Sequence, residues 1–323
     1  MERRGRIGRR GLLAGAAAVL GTGAFLEIAS LRGRFDHRRP AGMRPEGAKT
    51  YADALTQLDL SGPDDARALR EAAIVHVGHS THLMCVGGLR ILTDPWFHDP
   101  AFGALVHEQP PAVLPVGIGR LDVILITHDH ADHADIRALD QLDKRAIVLV
   151  ATSDLAARIR QLGYREAVVL APWEERKIGE VTFTAVPALH DIYEIGFVVK
   201  SARTSVYFAG DTRLFPELAA IAERFSPEVS ILPVDGTRLT GGSLHVMTPE
   251  DAVTAARTLK SRLVIPSHAE AVFSDPLVAN VLASTVARAR FLFGEAMGRA
   301  LPGVRCVVPS SGELIAIGSP SST

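Results

Sequence analysis

Three imidazoles and two carboxylates stand within six consecutive residues, His128-Asp129-His130-Ala131-Asp132-His133, directly behind the apolar run 122–127 (DVILIT). A near-continuous apolar run of this length reads as a strand buried on both faces. The polar cluster therefore leaves the exit of a central strand, where layered α/β folds collect functional side chains. Imidazole and carboxylate suit zinc and similar divalent ions. His128 and His130, two apart, can converge on one ion; Asp132 and His133, at the start of a following helix, can reach a second.

Further β-type runs lie at 74–77, 81–86, 89–93, 147–151, 181–186, 229–234, 263–266 and 304–308, with Gly87-Gly88 a two-residue hairpin signal. The run 197–208 reads as a hairpin turning at 201–204. Helical patterning falls at 136–142, 215–225 and 249–260, and a long helix is expected over about 276–297. Thr248, Pro249 and Asp251 occupy the N-cap, first-turn and capping-box positions of the third of these. Strand-rich stretches punctuated by helices in both halves predict one α/β domain over 71–318, a four-layer αββα sandwich.

The His-x-His-x-Asp-His run resembles the signature of the metallo-β-lactamase superfamily, and matching pieces follow in order. Pro187-Ala188-Leu189-His190, Phe208-Ala209-Gly210-Asp211-Thr212 and Val264-Ile265-Pro266-Ser267-His268 each end a strand-like run. The resemblance implies a first metal site of His128, His130 and His190 and a second of Asp132, His133 and His268, with Asp211 bridging. Gly78-His79-Ser80-Thr81 and Ile91-Leu92-Thr93-Asp94-Pro95 extend it to the branch of N-acyl-phosphatidylethanolamine phospholipase D and the ascorbate-6-phosphate lactonases. In that branch Asp94 would orient a ligand. His245 resembles a substrate-side histidine, and His79 is either near the site or a turn-stabilising residue. His76, His82, His98 and His107 carry no motif and read as structural or exposed.

The implied activity is that of a hydrolase using two divalent ions, zinc as first choice with manganese and iron also compatible, to activate a water. Asp132 and Asp211 would tune and orient that water, with His245 completing the catalytic set. The expected substrate is a phosphodiester, a phospholipid included; lactone or ester hydrolysis and a non-catalytic, membrane-anchored metal-binding module are the alternatives. A small-molecule or lipid partner is expected; the apolar stretch 96–119 reads either as one wall of the pocket or as a loop packed on the sheet. The formal net charge of -1 with scattered basic residues shows no nucleic-acid footprint.

The first ten residues carry Arg3, Arg4, Arg6, Arg9 and Arg10 against Glu2, and 11–26 is uncharged. That layout predicts a leader over 1–31, either a cleaved signal peptide or an uncleaved membrane anchor. Arg9-Arg10 followed by Gly-Leu-Leu resembles a twin-arginine export signal. A linker is expected over 32–70, and an exported, periplasmic or extracytoplasmic membrane-associated location follows. Cys85 and Cys306 could at most form one bridge; two free thiols are the favoured reading.

Overall fold

The computed structural model describes residues 72–239, 242–275 and 278–317; the expected leader and linker lie outside them. In the first half, β1 (Ala72–Gly78), β2 (Thr81–Val86) and β3 (Leu89–Thr93) form an antiparallel meander. Gly87 and Gly88 both have positive φ, 56° and 79°, the backbone that a tight two-residue hairpin demands. A short strand β4 (Leu105–His107) stands apart, and β5 (Val123–Ile126), β6 (Ile147–Val150) and β7 (Glu166–Val169) then extend the sheet in parallel. Their crossovers contain α1 (Ile136–Gln141) and α2 (Ser153–Gln161).

The second half repeats the plan. Strands β8 (Glu175–Ile178), β9 (Val181–Pro187), β10 (Ile195–Lys200) and β11 (Ser205–Phe208) are antiparallel, and β12 (Val229–Pro233) joins β11 in parallel. After the short β13 (Arg238–Leu239), β14 (Leu263–Ser267) pairs with β12. Strands β15 (Ala271–Phe273) and β16 (Ala283–Ser284) form side pairs with β4 and β13, and β17 (Arg305–Cys306) completes the second sheet. Helices α3 (Leu218–Phe225), α4 (Pro249–Leu259) and α5 (Ala289–Ala300) cover its outer face. The last strand, β18 (Leu314–Ala316), returns to pair antiparallel with β1.

Each of the two main sheets has seven strands among the described residues, and side chains of period two divide between its faces. On β5, Val123 and Leu125 point into the core between the sheets, with Met84, Phe183, Phe197 and Ile265. Ile124 and Ile126 point the other way, against Leu139 of α1 and Leu155 and Ile159 of α2. Strand β11 does the same: Val206 and Phe208 face the first sheet, Tyr207 the helices. The result is the four-layer αββα sandwich.

The capping box on α4 forms as expected, Thr248 Oγ1 accepting from Asp251 N and Asp251 Oδ2 from Thr248 N. The expected long helix over 276–297 does not form as one element. Val278–Leu282 makes a single π-type turn, Ala283–Ser284 pairs with β13, and Val286 N donates to Asp235 O. These long-range partners claim the backbone, and α5 starts only after Arg288, whose φ of 57° is left-handed. The strand expected over 304–308 shortens to β17. Cys85 and Cys306 are both free.

Candidate metal centre

The two sheets present strand exits to one rim, and the polar motifs meet there. At the end of β3, Asp94 accepts from Thr127 N (2.8 Å) and Thr127 Oγ1 (2.8 Å), which pins the exit of β5. Beyond it His133 N and Ala134 N both donate to His130 O, so the chain turns tightly enough to separate His128 and His130 from Asp132 and His133. Asp135 then caps α1 through Arg137 N and Ala138 N.

The other half supplies three loops. Beyond β9, Leu189 N donates to Thr212 Oγ1 and sets His190 beside the loop that carries Asp211. Gly210 (φ +68°) lets the chain turn there: a Cβ at this position would lie 2.3 Å from Glu194 Oε1. Glu194 Oε1 in turn accepts from Asp211 N at 2.7 Å. His268 follows β14 with φ 50°, its N–H donating to His79 O.

Two quartets of ligand atoms result, each within 4.8 Å of one another: His128, His130, His190 and Asp211, and His79, Asp132, His133 and His268. Asp211 Oδ2 lies 3.0 Å from His133 Nε2, 3.0 Å from His268 Nε2 and 3.9 Å from His128 Nε2, so one carboxylate serves both groups. Asp132 Oδ2 is 3.6 Å from both His79 Nε2 and His268 Nε2. His128 Nε2, His133 Nε2, Asp132 Oδ1, Asp211 Oδ1 and both ring nitrogens of His79 are buried without a hydrogen-bond partner among the described residues. Orphaned donors and acceptors this dense are costly unless something binds them. A nitrogen and oxygen donor set of this composition fits divalent cations.

Carboxylates behind the rings hold them in place. His133 Nδ1 is 2.7 Å from Asp94 Oδ2, His268 Nδ1 is 3.0 Å from Asp235 Oδ2, and His128 Nδ1 is 3.2 Å from Glu194 Oε1. Such partners fix ring orientation and raise ligand basicity. Burial pushes Asp94 up to about 6 and Glu194 up to about 7, against the pull of neighbouring histidines. Burial likewise holds His128 and His130 well below the usual imidazole range and lowers His79 to about 3. For His133 and His268 burial opposes the charge, but Asp211 overrides it and raises both. Burial also opposes ionisation of Asp132 and Asp211, and His133 beside them reverses the direction, holding both low.

All seven residues expected as metal ligands thus fall in the two quartets, and His79 joins the second of them. His245 stands outside both, on the cavity wall: its carbonyl accepts from His190 Nδ1, its Nδ1 contacts Asp191 Oδ2 and its Nε2 is 3.0 Å from Ser243 Oγ. Asp235 and Glu194 carry no motif, and no sequence signal singled them out. Of the histidines without a motif, His76 and His82 are buried, His107 stacks on Trp96, and His98 bonds Asp135. The stretch 96–119 divides: Trp96 and Phe97 enter the core, whereas Phe102 and Leu105 line a cavity of about 130 Å³ over the quartets.

A two-sheet αββα sandwich with paired His/Asp quartets at its strand exits defines a protein of the metallo-β-lactamase fold. Residues 89–269 match the family described as "Beta-lactamase superfamily domain", and the chain belongs to that family. A UPF0173 metal-dependent hydrolase of Pyrobaculum neutrophilum is 34% identical over 197 residues, which is 59% of this chain and 81% of the relative. Among solved structures, Igni18, a metallo hydrolase of Ignicoccus hospitalis, aligns with a TM-score of 0.59 at 21% identity, covering 77% of this chain and 99% of its own. An isothiocyanate hydrolase from Delia radicum gut bacteria aligns with a TM-score of 0.63 at 21% identity, over 76% and 99%. These two likenesses speak to the fold.

Proposed function

We propose that this chain is a metal-dependent hydrolase that cleaves a phosphodiester with the aid of two divalent ions, zinc in the first instance. The observation that carries the reading is the pair of orphan-donor quartets sharing Asp211 beneath the cavity. His128, His130 and His190 would hold one ion and His79, Asp132, His133 and His268 the other, with Asp211 between. Bound there, such ions supply Lewis acidity and lower the pKa of a water. Asp132 and Asp211 would orient that water by accepting its hydrogens. Phe102, Leu105, Leu239 and Phe273 form an apolar cover that excludes bulk water and seats an organic substituent. His245, steadied by Asp191, faces the same cavity and would contact the substrate.

The resemblance of the segments around His79 and Asp94 to the phospholipase D-like and lactonase branch supports phosphodiester or ester chemistry. The cavity's small volume makes lactone or ester hydrolysis the second reading. We also propose that the segment 1–31 directs export or tethers the domain to a membrane, which cell fractionation of the full chain against one lacking 1–31 tests. The reaction is tested by metal analysis together with turnover of bis(p-nitrophenyl) phosphate and a lactone panel. About two ions per chain and chelator-sensitive phosphodiester cleavage are expected. Lactone or ester cleavage alone would move the assignment to the second reading. Absence of both metal and turnover would leave a non-catalytic module.

A further inference from the structure

A second, larger cavity of about 580 Å³ adjoins the metal centre and shares Phe102, His130 and Ile192 with the cavity over the quartets. These three residues form a common wall between an inner, apolar lobe and an outer one. The outer lobe carries Arg137, Arg158, Asp129 and Asp135.

Their availability to a ligand differs sharply. Asp135 is fully engaged: Oδ2 accepts from Phe97 N, His98 N and His98 Nδ1, and Oδ1 from Arg137 N and Ala138 N. Arg137 is held in position, its Nη2 donating to His98 O at 2.9 Å and its Nε 3.9 Å from Asp135 Oδ1. Arg158, on the last turn of α2, makes no side-chain hydrogen bond or ion pair among the described residues, and neither does Asp129. The groups that can meet a ligand are therefore the unpartnered guanidinium of Arg158 and the N–H groups of Arg137 not engaged by His98 O and Asp135, against the one carboxylate of Asp129.

We infer that the outer lobe is a recognition site for an anionic group, a carboxylate or phosphate, carried on the second arm of the substrate. This inference rests on the phosphodiester reading and specifies the substrate class: one arm apolar, seated under Phe102 and Phe273, and the other anionic, reaching past Ile192 to Arg158 and Arg137. Guanidinium presents a planar fork of donors that matches carboxylate and phosphate oxygens. The Asp129 carboxylate beside them accommodates an N–H or O–H on the same arm. None of these four side chains belongs to a quartet, so the lobe selects substrates without contributing to the hydrolytic step.

The test uses the metal-loaded protein and two p-nitrophenyl alkyl phosphodiesters that differ only at the end of the alkyl arm, a carboxylate in one and its methyl ester in the other. The carboxylate-armed substrate is expected to show roughly tenfold higher kcat/KM, as one charge-assisted hydrogen bond provides. Arg158→Ala should remove most of that preference, and Arg137→Ala the remainder. Turnover of bis(p-nitrophenyl) phosphate, which lacks an anionic arm, should be unchanged in both variants and reports correct folding. Equal kcat/KM for the two substrates in the parent protein, or a preference that survives both substitutions, overturns the inference. Calorimetric titration with the corresponding non-hydrolysable phosphonates reads the lobe without turnover. A preference that depends on Arg158 in binding, with no hydrolysis of either ester, would sink the phosphodiester reading and leave the anion site standing; no preference in binding would sink the site itself.

Discussion

Asp94 Oδ2 lies 2.7 Å from His133 Nδ1 while the same carboxylate receives both the backbone and the hydroxyl of Thr127. One side chain at the end of β3 thus sets the exit of β5 and aims a ring from the far side of the loop.

Replacing Asp94 by Asn keeps the size of the side chain but removes the charge that orients His133. Metal affinity should fall by about 10–100-fold, the range found for partners behind a metal ligand. Competition with a chromophoric chelator measures this, and an unchanged dissociation constant would show that His133 does not depend on Asp94.

His79 has a φ of 54° and both ring nitrogens orphaned, so it is either a turn residue or a ligand. Asn separates the two roles, because it tolerates left-handed backbone but carries no imidazole. We expect His79→Asn to change the denaturation midpoint of the metal-free protein little and to weaken one bound ion selectively. Full metal content with normal affinity would assign His79 to the turn alone.

Gly210→Ala combines a left-handed backbone, φ +68°, with a Cβ 2.3 Å from Glu194 Oε1 and 3.1 Å from Thr127 Cβ. Destabilisation of roughly 2 kcal/mol or more is expected, since strain and overpacking add. Gly163→Ala, with φ +94° and nothing within 4 Å, isolates the backbone contribution. Equal urea midpoints for the two variants would mean that the Glu194 contact is irrelevant.

Burial pushes the Cys306 thiol up to about 11, from 9.0. The thiolate is the reactive form, so alkylation at pH 8 should run about a hundredfold slower in the folded than in the urea-unfolded protein. The folded state keeps the proton longer, so the contribution is intact below pH 9 and is lost as pH rises towards 11. Fast labelling of Cys306 at pH 8 under native conditions would contradict its burial.

Much of this arrangement was legible in the sequence because the strands that position the site are buried on both faces. The run ending at Ile126 is apolar throughout and the one ending at Phe208 is apolar but for Ser205 at its start, and the imidazoles and carboxylates stand out at their exits. Glu194 and Asp235 were not legible: each is a lone carboxylate whose meaning depends on what approaches it, Glu194 on the His128 ring and Asp211 N–H, Asp235 on His268. The segment 276–297 misled for the opposite reason. Its alanines, leucines and arginines suit a helix, but distant partners such as Asp235 O take the backbone before a helix can propagate. Strand β18, three residues long, is too short to announce itself, and its place is set by β1.

That last pairing bears on how the molecule is made. Ala73, Ile74 and Val75 find their outer partners in Ala316, Ile315 and Leu314, at the opposite end of the domain. During synthesis the first sheet therefore waits with an open edge beside β1 until β18 has left the ribosome, and the domain can close only once residue 316 has emerged. A chain stalled before residue 314 would expose that edge to its neighbours, and such nascent chains are expected to be the ones that aggregate.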